Sequence, residues 1–182
     1  GAYEEATMRA NVSDLEKILL RQVVMRDVTV REQHCEVLGE KLDMPVILAP
    51  VGLAGMFARR AEVQAARAAD KAGIPFVEST VSIGGIEEVA AAKSTPPWFQ
   101  LYVMRDRSFA EGLMAKAEEA GAPVLVLTID LPVLGARHRD TRNATVGQFS
   151  KWAKFRRTLD LLSHPGWLVD VPVKGKPLTF GN

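Results

Sequence analysis

Hydrophobic positions along this chain change period several times. From Met44 onward, short continuous apolar runs alternate with stretches in which apolar residues recur every three or four positions. The first pattern marks strands covered on both faces and the second marks helices. The runs are residues 44–49, 75–80, 98–103 and 124–129. Between them, residues 60–71 predict an Ala-rich helix, 86–92 a short helix, and 108–120 a helix capped by Ser108. Two junctions share one form, Ala72-Gly73-Ile74-Pro75 and Ala120-Gly121-Ala122-Pro123. Each places a glycine where a helix must stop and a proline where a strand begins. Strand–helix units spaced by about 25 residues predict a parallel sheet. A (β/α)8 barrel takes about 250 residues, so the pattern predicts its first four βα units.

The flanks are less regular. Residues 1–22 read as helix, with a break at Asn11-Val12-Ser13-Asp14-Leu15 where Ser13 or Asp14 could cap a second helical stretch. Residues 23–38 alternate weakly, as short strands or loops do. The βα rhythm ends at Asp140. Beyond it, residues 151–162 predict a helix with Trp152, Phe155, Leu159 and Leu162 on one side and Lys154 and Arg157 on another. Residues 171–182 are rich in Pro, Gly and Lys and read as irregular. Three parts are therefore expected: a helical and irregular segment over 1–43, the half barrel over 44–140, and a loop after the fourth strand over 141–182.

Composition narrows the function. The 182 residues are 47% hydrophobic and 25% charged, as in an ordinary globular domain. No apolar run is long enough to span a bilayer. The start, Gly1-Ala2-Tyr3-Glu4-Glu5, reads as acidic helix, not as a secretory leader. One cysteine, Cys35, allows no internal disulfide. The net charge of +1 conceals an asymmetry, because seven Lys/Arg against two acids give residues 141–182 a charge of +5 and leave −4 for the rest. A basic tail on an acidic body points to an anionic contact. No nucleic-acid module is recognisable and no cluster has metal-ligand spacing. Gly52-Leu53-Ala54-Gly55 lacks the spacing of a dinucleotide fingerprint.

The candidate chemistry lies where the apolar runs end, since ligands bind at the carboxyl ends of strands in α/β proteins. Those ends offer the backbone at Pro50, Val51 and Gly52, then Ser79 with Thr80, Gln100 with Tyr102, and Thr128 with Asp130, followed by Arg137. The hydroxyls, the amide and the backbone groups are neutral hydrogen-bonders suited to the edge of a flat heterocycle. Tyr102, Asp130 and Arg137 add a phenol and two opposite charges, which suit an anionic substrate and a proton-transfer partner. On the residues alone, Ser79 and Thr128 could equally cap helices, Tyr102 could be a core aromatic, Asp130 a turn residue and Arg137 a solvated cation.

Leu48-Ala49-Pro50-Val51-Gly52, Ser79-Thr80-Val81-Ser82, Ile86-Glu87-Glu88-Val89 and Gly135-Ala136-Arg137, in this order, resemble the FMN-dependent L-2-hydroxy acid oxidase and dehydrogenase family, and most of all its bacterial quinone-linked, lactate-oxidising branch. The resemblance implies that Pro50, Val51, Gly52, Ser79, Gln100 and Thr128 hold FMN, that Tyr102 bonds the substrate, and that Arg137 faces its carboxylate. It implies that Asp130 orients a histidine base that is absent from this chain, as a triad carboxylate does. The implied reaction is oxidation of L-lactate to pyruvate with electrons passed to a respiratory quinone; mandelate or glycolate is an alternative substrate, and a non-catalytic half barrel an alternative role. The family's base, a second substrate arginine and the flavin phosphate site belong to segments other than these 182 residues, so this piece alone is expected neither to oxidise lactate nor to hold FMN tightly. The full-length protein is expected to be a homo-oligomer, peripheral on the cytoplasmic side of the bacterial inner membrane, with residues 141–182 on the anionic surface.

Overall fold

A computed structural model of the chain describes residues 2–129, 133, 135–142, 151–175 and 178–182. Helix α1 (Ala6–Glu16) is followed by an antiparallel pair, β1 (Cys35–Val37) and β2 (Glu40–Leu42). Then come α2 (Ala61–Lys71), β3 (Val77–Ser79), α3 (Ile86–Ala90), β4 (Trp98–Tyr102), α4 (Arg107–Glu119) and β5 (Leu125–Thr128). Three helices close the chain: α5 (His138–Arg142), α6 (Lys151–Leu162) and α7 (Pro165–Leu168), the last running into a π-helical turn, Val169–Val173. Two compact units result, one of Gly1–Arg31 with Leu131–His164 and the other of Glu32–Asp130 with Pro165–Asn182.

The second unit carries the parallel sheet, in the order β3-β4-β5. Val77 pairs with Trp98 and Ser79 with Gln100; Gln100 in turn pairs with Val126, and Tyr102 with Thr128. Two apolar clusters hold helices to one face. Phe99 and Leu101 of β4 pack with Ile86, Ala110, Leu113 and Ala117. Val63, Ala66 and Ala69, spaced by three along α2, pack with Phe76 and Val89.

Both repeated junctions close as predicted, and their geometry explains the repeat. After α2, Gly73 takes φ +62° and its N–H bonds to the carbonyl of Asp70, while Ile74 N–H bonds to that of Ala69. After α4, Gly121 takes φ +78°, bonding to Glu118, and Ala122 bonds to Ala117. These are Schellman motifs, which satisfy the last carbonyls at the cost of one left-handed residue. A side chain at Gly73 would also run into Asp43.

Several expectations are corrected. The run over 44–49 forms a single bridge, Leu48 to Phe76, and no strand. Pro45 and Pro50 remove ladder donors at both ends, and Val46 and Ile47 are exposed. The run over 124–129 is not covered on both faces: β5 is the sheet's edge, with Leu125 and Leu127 about half exposed, 47% and 52%. The cap of α4 is Asp106, not Ser108. The Asp106 carboxylate accepts from Ser108 N–H at 3.1 Å and Phe109 N–H at 3.3 Å, and Ser108 Oγ donates to it. Helix α1 runs through Asn11, Ser13 and Asp14 without a break and ends at Glu16. Of residues 23–38, Cys35–Val37 form a strand, closed onto β2 by Leu38 and Gly39, both at positive φ as a tight hairpin requires. Residues 171–173, expected to be irregular, lie in the π-helical turn, where Val171 is buried.

In the first unit, α5 is tied to the chain start. Arg139 pairs with Glu5 at 2.7 Å, Tyr3 N–H bonds to Ala136 O, and the rings of Tyr3 and His138 meet edge to face. Helix α6 carries Trp152, Phe155, Leu159 and Leu162, and these four are exposed. Trp152 and Phe155 stack at 5.6 Å. Among the described residues no helix is long and apolar enough to cross a membrane.

Replacing Asp106 by Ala should lower the denaturation midpoint more than Ser108→Ala, since the carboxylate holds two orphan N–H groups and the serine merely orients it. Thermal denaturation of the two variants side by side would show this.

Candidate functional site

The ends of β3, β4 and β5 bring three predicted side chains into one line. Register alone puts Ser79, Gln100 and Val126 abreast, with Tyr102 and Thr128 abreast one pleat further on. Gln100, 2% exposed, then reaches both ways. Its Oε1 accepts from Ser79 Oγ and from Thr80 N–H, each at 3.3 Å. Its Nε2 donates to Thr128 Oγ1 at 2.8 Å. The amide orientation is dictated chemically, because Thr80 N–H can only donate and a flipped amide would set two donors against each other. Thr128 Oγ1 must therefore accept from Gln100, which leaves its own O–H to donate elsewhere. The second N–H of Gln100 is a further donor.

Thr80, offered beside Ser79 at the same strand end, locks the same strands. Its hydroxyl donates to Gln100 O at 2.6 Å and accepts from Tyr102 N–H at 3.0 Å. Tyr102 is thereby held by its backbone, with its side chain half-buried. Val81 N–H donates to Ser79 Oγ at 3.3 Å, so the serine is fixed as well.

The segment with Pro50, Val51 and Gly52 lies against the end of β3. Leu53 N–H bonds to Val81 O at 2.9 Å. A Cβ on Gly52 would fall 2.6 Å from Val81 Cγ2 and 3.8 Å from Ser79 Oγ, so glycine is needed for this approach. Asn182 joins from the far end of the chain: its Nδ2 donates to Ser79 O at 2.9 Å and its Oδ1 accepts from Ile86 N–H at 2.8 Å. Nothing in the local sequence around Asn182 signals this. Arg137 belongs to the other unit, where its guanidinium is exposed and lies 3.8 Å from Asp140. Asp130 lies outside the described residues.

The arrangement is a wall of neutral donors and acceptors on three adjacent parallel strands, backed by a close-lying glycine loop. A model of one family, the FMN-dependent dehydrogenases, matches residues 1–179. The chain belongs to that family. It is 52% identical over all 182 residues to an L-lactate dehydrogenase of Haemophilus influenzae (strain PittEE) and 50% identical to one of Vibrio parahaemolyticus, and in each case it spans about half of the relative, 47%. Among solved structures it is similar to an (S)-mandelate dehydrogenase described as a monotopic membrane protein, with a TM-score of 0.84 and 37% identity over 97% of this chain and 47% of that one. A mandelate oxidase with benzoyl-formic acid is similar at a TM-score of 0.73 and 36% identity, over 84% of this chain and 44% of that one.

Behind the wall sits a feature of this family member that strand-end reasoning passed over. Glu78, inside β3, is fully buried, and neither of its carboxyl oxygens has a hydrogen-bond partner. Its neighbours are Ser82, Glu62 and Arg60. Desolvation, with Glu62 adding repulsion, pushes its pKa up to about 8, against the weaker opposing pulls of Ser82 and Arg60. The sequence signal was available: a glutamate directly after Pro75-Phe76-Val77, inside the expected strand over 75–80.

A carboxyl that keeps its proton longer when folded loses stability as pH rises. Below the ordinary value of 4.5 both states hold the proton. Between 4.5 and about 8 the unfolded chain releases it and the folded chain does not. Stability should therefore fall across that window by up to about 1.4 kcal/mol per pH unit and level off above it. Glu78→Gln should remove this slope, as read by urea denaturation from pH 5 to 9.

Proposed function

We propose that this chain is the N-terminal half of an FMN-dependent barrel enzyme that oxidises an L-2-hydroxy acid, first of all L-lactate, to the keto acid. One observation carries the reading: the hydrogen-bonded line Ser79–Gln100–Thr128 across three adjacent strand ends. The donor set fits a flavin. The Thr128 O–H and the second Gln100 N–H are left to meet ring nitrogens and carbonyls, while the backbone at Pro50, Val51 and Gly52 can lie flat against a ring. Bound FMN would supply two-electron acceptance, with a respiratory quinone as the onward acceptor. The names of the relatives support this class of reaction, and both lactate and mandelate occur among them.

In this reading the chain's own residues bind and orient. Tyr102 donates its phenol to the substrate oxygen. Arg137 offers a planar pair of donors to the substrate carboxylate, a geometry that lysine cannot copy. Asp130 keeps the role implied by resemblance, that of a carboxylate orienting a base from the remainder of the barrel. The exposed apolar side chains of β5 support a barrel that continues past this edge.

Within residues 141–182, helix α6 takes the role of a membrane-facing segment, while Val171 and Asn182 pack with the parallel sheet's unit. Trp152, Phe155, Leu159 and Leu162 expose one apolar stripe on α6, and Lys151, Lys154 and Arg156 share the helix. An interfacial helix with this chemistry gains from burying the stripe and from each cation near anionic lipid. A membrane-described neighbour, the (S)-mandelate dehydrogenase, supports this reading.

The full-length protein should bind FMN. Gln100→Ala should raise the FMN Kd about tenfold or more, since it removes an anchor and strands two hydroxyls. Arg137→Lys should raise the KM for L-lactate about tenfold or more while leaving the FMN Kd near wild type. Flavin fluorescence titration and steady-state turnover read the two effects separately; equal FMN affinity in the Gln100→Ala variant overturns the site. Sedimentation with vesicles containing anionic lipid should show binding that high salt weakens and that Trp152→Ser with Phe155→Ser abolishes.

A further inference from the structure

Glu62 stands in the first turn of α2 and is 2% exposed. Its Oε1 accepts two backbone N–H groups from different loops, Gly55 at 2.9 Å and Ile83 at 3.0 Å. Gly55 belongs to the 3-10 turn Ala54–Met56, which follows Pro50, Val51 and Gly52 after the single residue Leu53. Ile83 closes the turn that follows Ser79. One oxygen thus ties the backbone wall of the candidate site to its side-chain wall.

The two loops are in close contact at this point. A Cβ on Gly55 would lie 2.7 Å from Ile83 Cβ and 3.0 Å from Glu62 Oε2. Leu53 N–H to Val81 O and the Gly52–Val81 approach continue the seam toward Ser79. Along this seam, the tie at Gly55 and Ile83 comes from a side chain.

As a stability device the tie is poor. A buried carboxylate is expensive, and here Oε2 has no hydrogen-bond partner. The return lies in the relative position of two loops, and a cradle for a flat ring depends on that spacing at the level of an ångström.

We propose that Glu62 is a positioning residue: by holding Gly55 and Ile83 on one oxygen it sets the gap between the glycine loop and Ser79, and through it the affinity for FMN. The inference rests on the flavin reading above. Glu62 touches neither cofactor nor substrate; it acts through the loops.

The test uses the full-length protein and four variants. Glu62→Ala should raise the FMN Kd about tenfold to a hundredfold and speed hydrogen exchange in peptides covering Gly55 and Ile83. Glu62→Gln keeps an acceptor oxygen and should stay within about threefold of wild type. Val63→Ala, which trims the neighbouring core position, should lower the melting temperature while leaving FMN affinity unchanged. Glu62→Asp withdraws the carboxylate by one methylene and should behave like Glu62→Ala, so it decides the matter if the alanine variant does not fold. Unchanged FMN affinity in Glu62→Ala or Glu62→Asp, or an equal loss in Val63→Ala, overturns the proposal. Wild-type protein that binds no FMN overturns the flavin reading instead, and loop exchange then judges the tie alone: faster in Glu62→Ala supports it, unchanged overturns it.

Discussion

A buried primary amide has one acceptor and two donors pointing in opposite directions, and it must satisfy both. Gln100 does so by facing β3 with its oxygen and β5 with its nitrogen. The layout of the site is a consequence of this choice. The donor-only character of Thr80 N–H fixes the amide, the amide fixes Thr128 as an acceptor, and the strand register brings all three within reach. The backbone ladder aligns the strands; the side-chain line at their ends gives that alignment a direction, with donors left over at one end.

Much of this was legible in the sequence because the local demands are strict. Gly73 and Gly121 mark helix ends because the closing geometry needs a left-handed residue. The strand cores around Phe76, Phe99 and Val126 are apolar runs too short for helices. Ser79, Gln100 and Thr128 stood out as polar residues at the ends of such runs. The misreadings share a different origin. Whether a run is covered on both faces depends on what packs across it, and a periodicity cannot report that. The run over 124–129 and the run over 44–49 therefore looked alike, although one is a real edge strand and the other, with prolines in it, makes a single bridge. The cap of α4 was missed by two residues because Ser108 and Asp106 both suit a cap, and only the backbone shows which of them lies outside the helix. Asn182 and Glu62 were illegible for a stronger reason: their partners, Ser79 and Ile83, are 103 and 21 residues away.

Glu62 and Glu78 show how environment assigns opposite roles to one chemical group. Both are buried beside the same turn. Glu62 finds two N–H donors at the start of a helix, an environment suited to negative charge. Glu78 has only the weaker pulls of the Ser82 hydroxyl and Arg60 to oppose its burial, makes no hydrogen bond through either oxygen, and has its pKa pushed up to about 8. Burial is the larger cause of that shift, and repulsion from Glu62 adds to it.

The bare side of β5 bears on the larger architecture. Leu125 and Leu127 lie in register with Phe99 and Leu101, which are buried under helices, so they share a face with residues that a helix covers. Parallel sheets rarely leave such a face open, since βα connections normally place a helix over every strand. A lone half sheet would carry both the exposed leucines and an unpaired ladder of backbone groups, and a closed barrel removes both costs together. The same closure would bring further strand ends beside Thr128, whose hydroxyl accepts from Gln100 and keeps its own proton to donate.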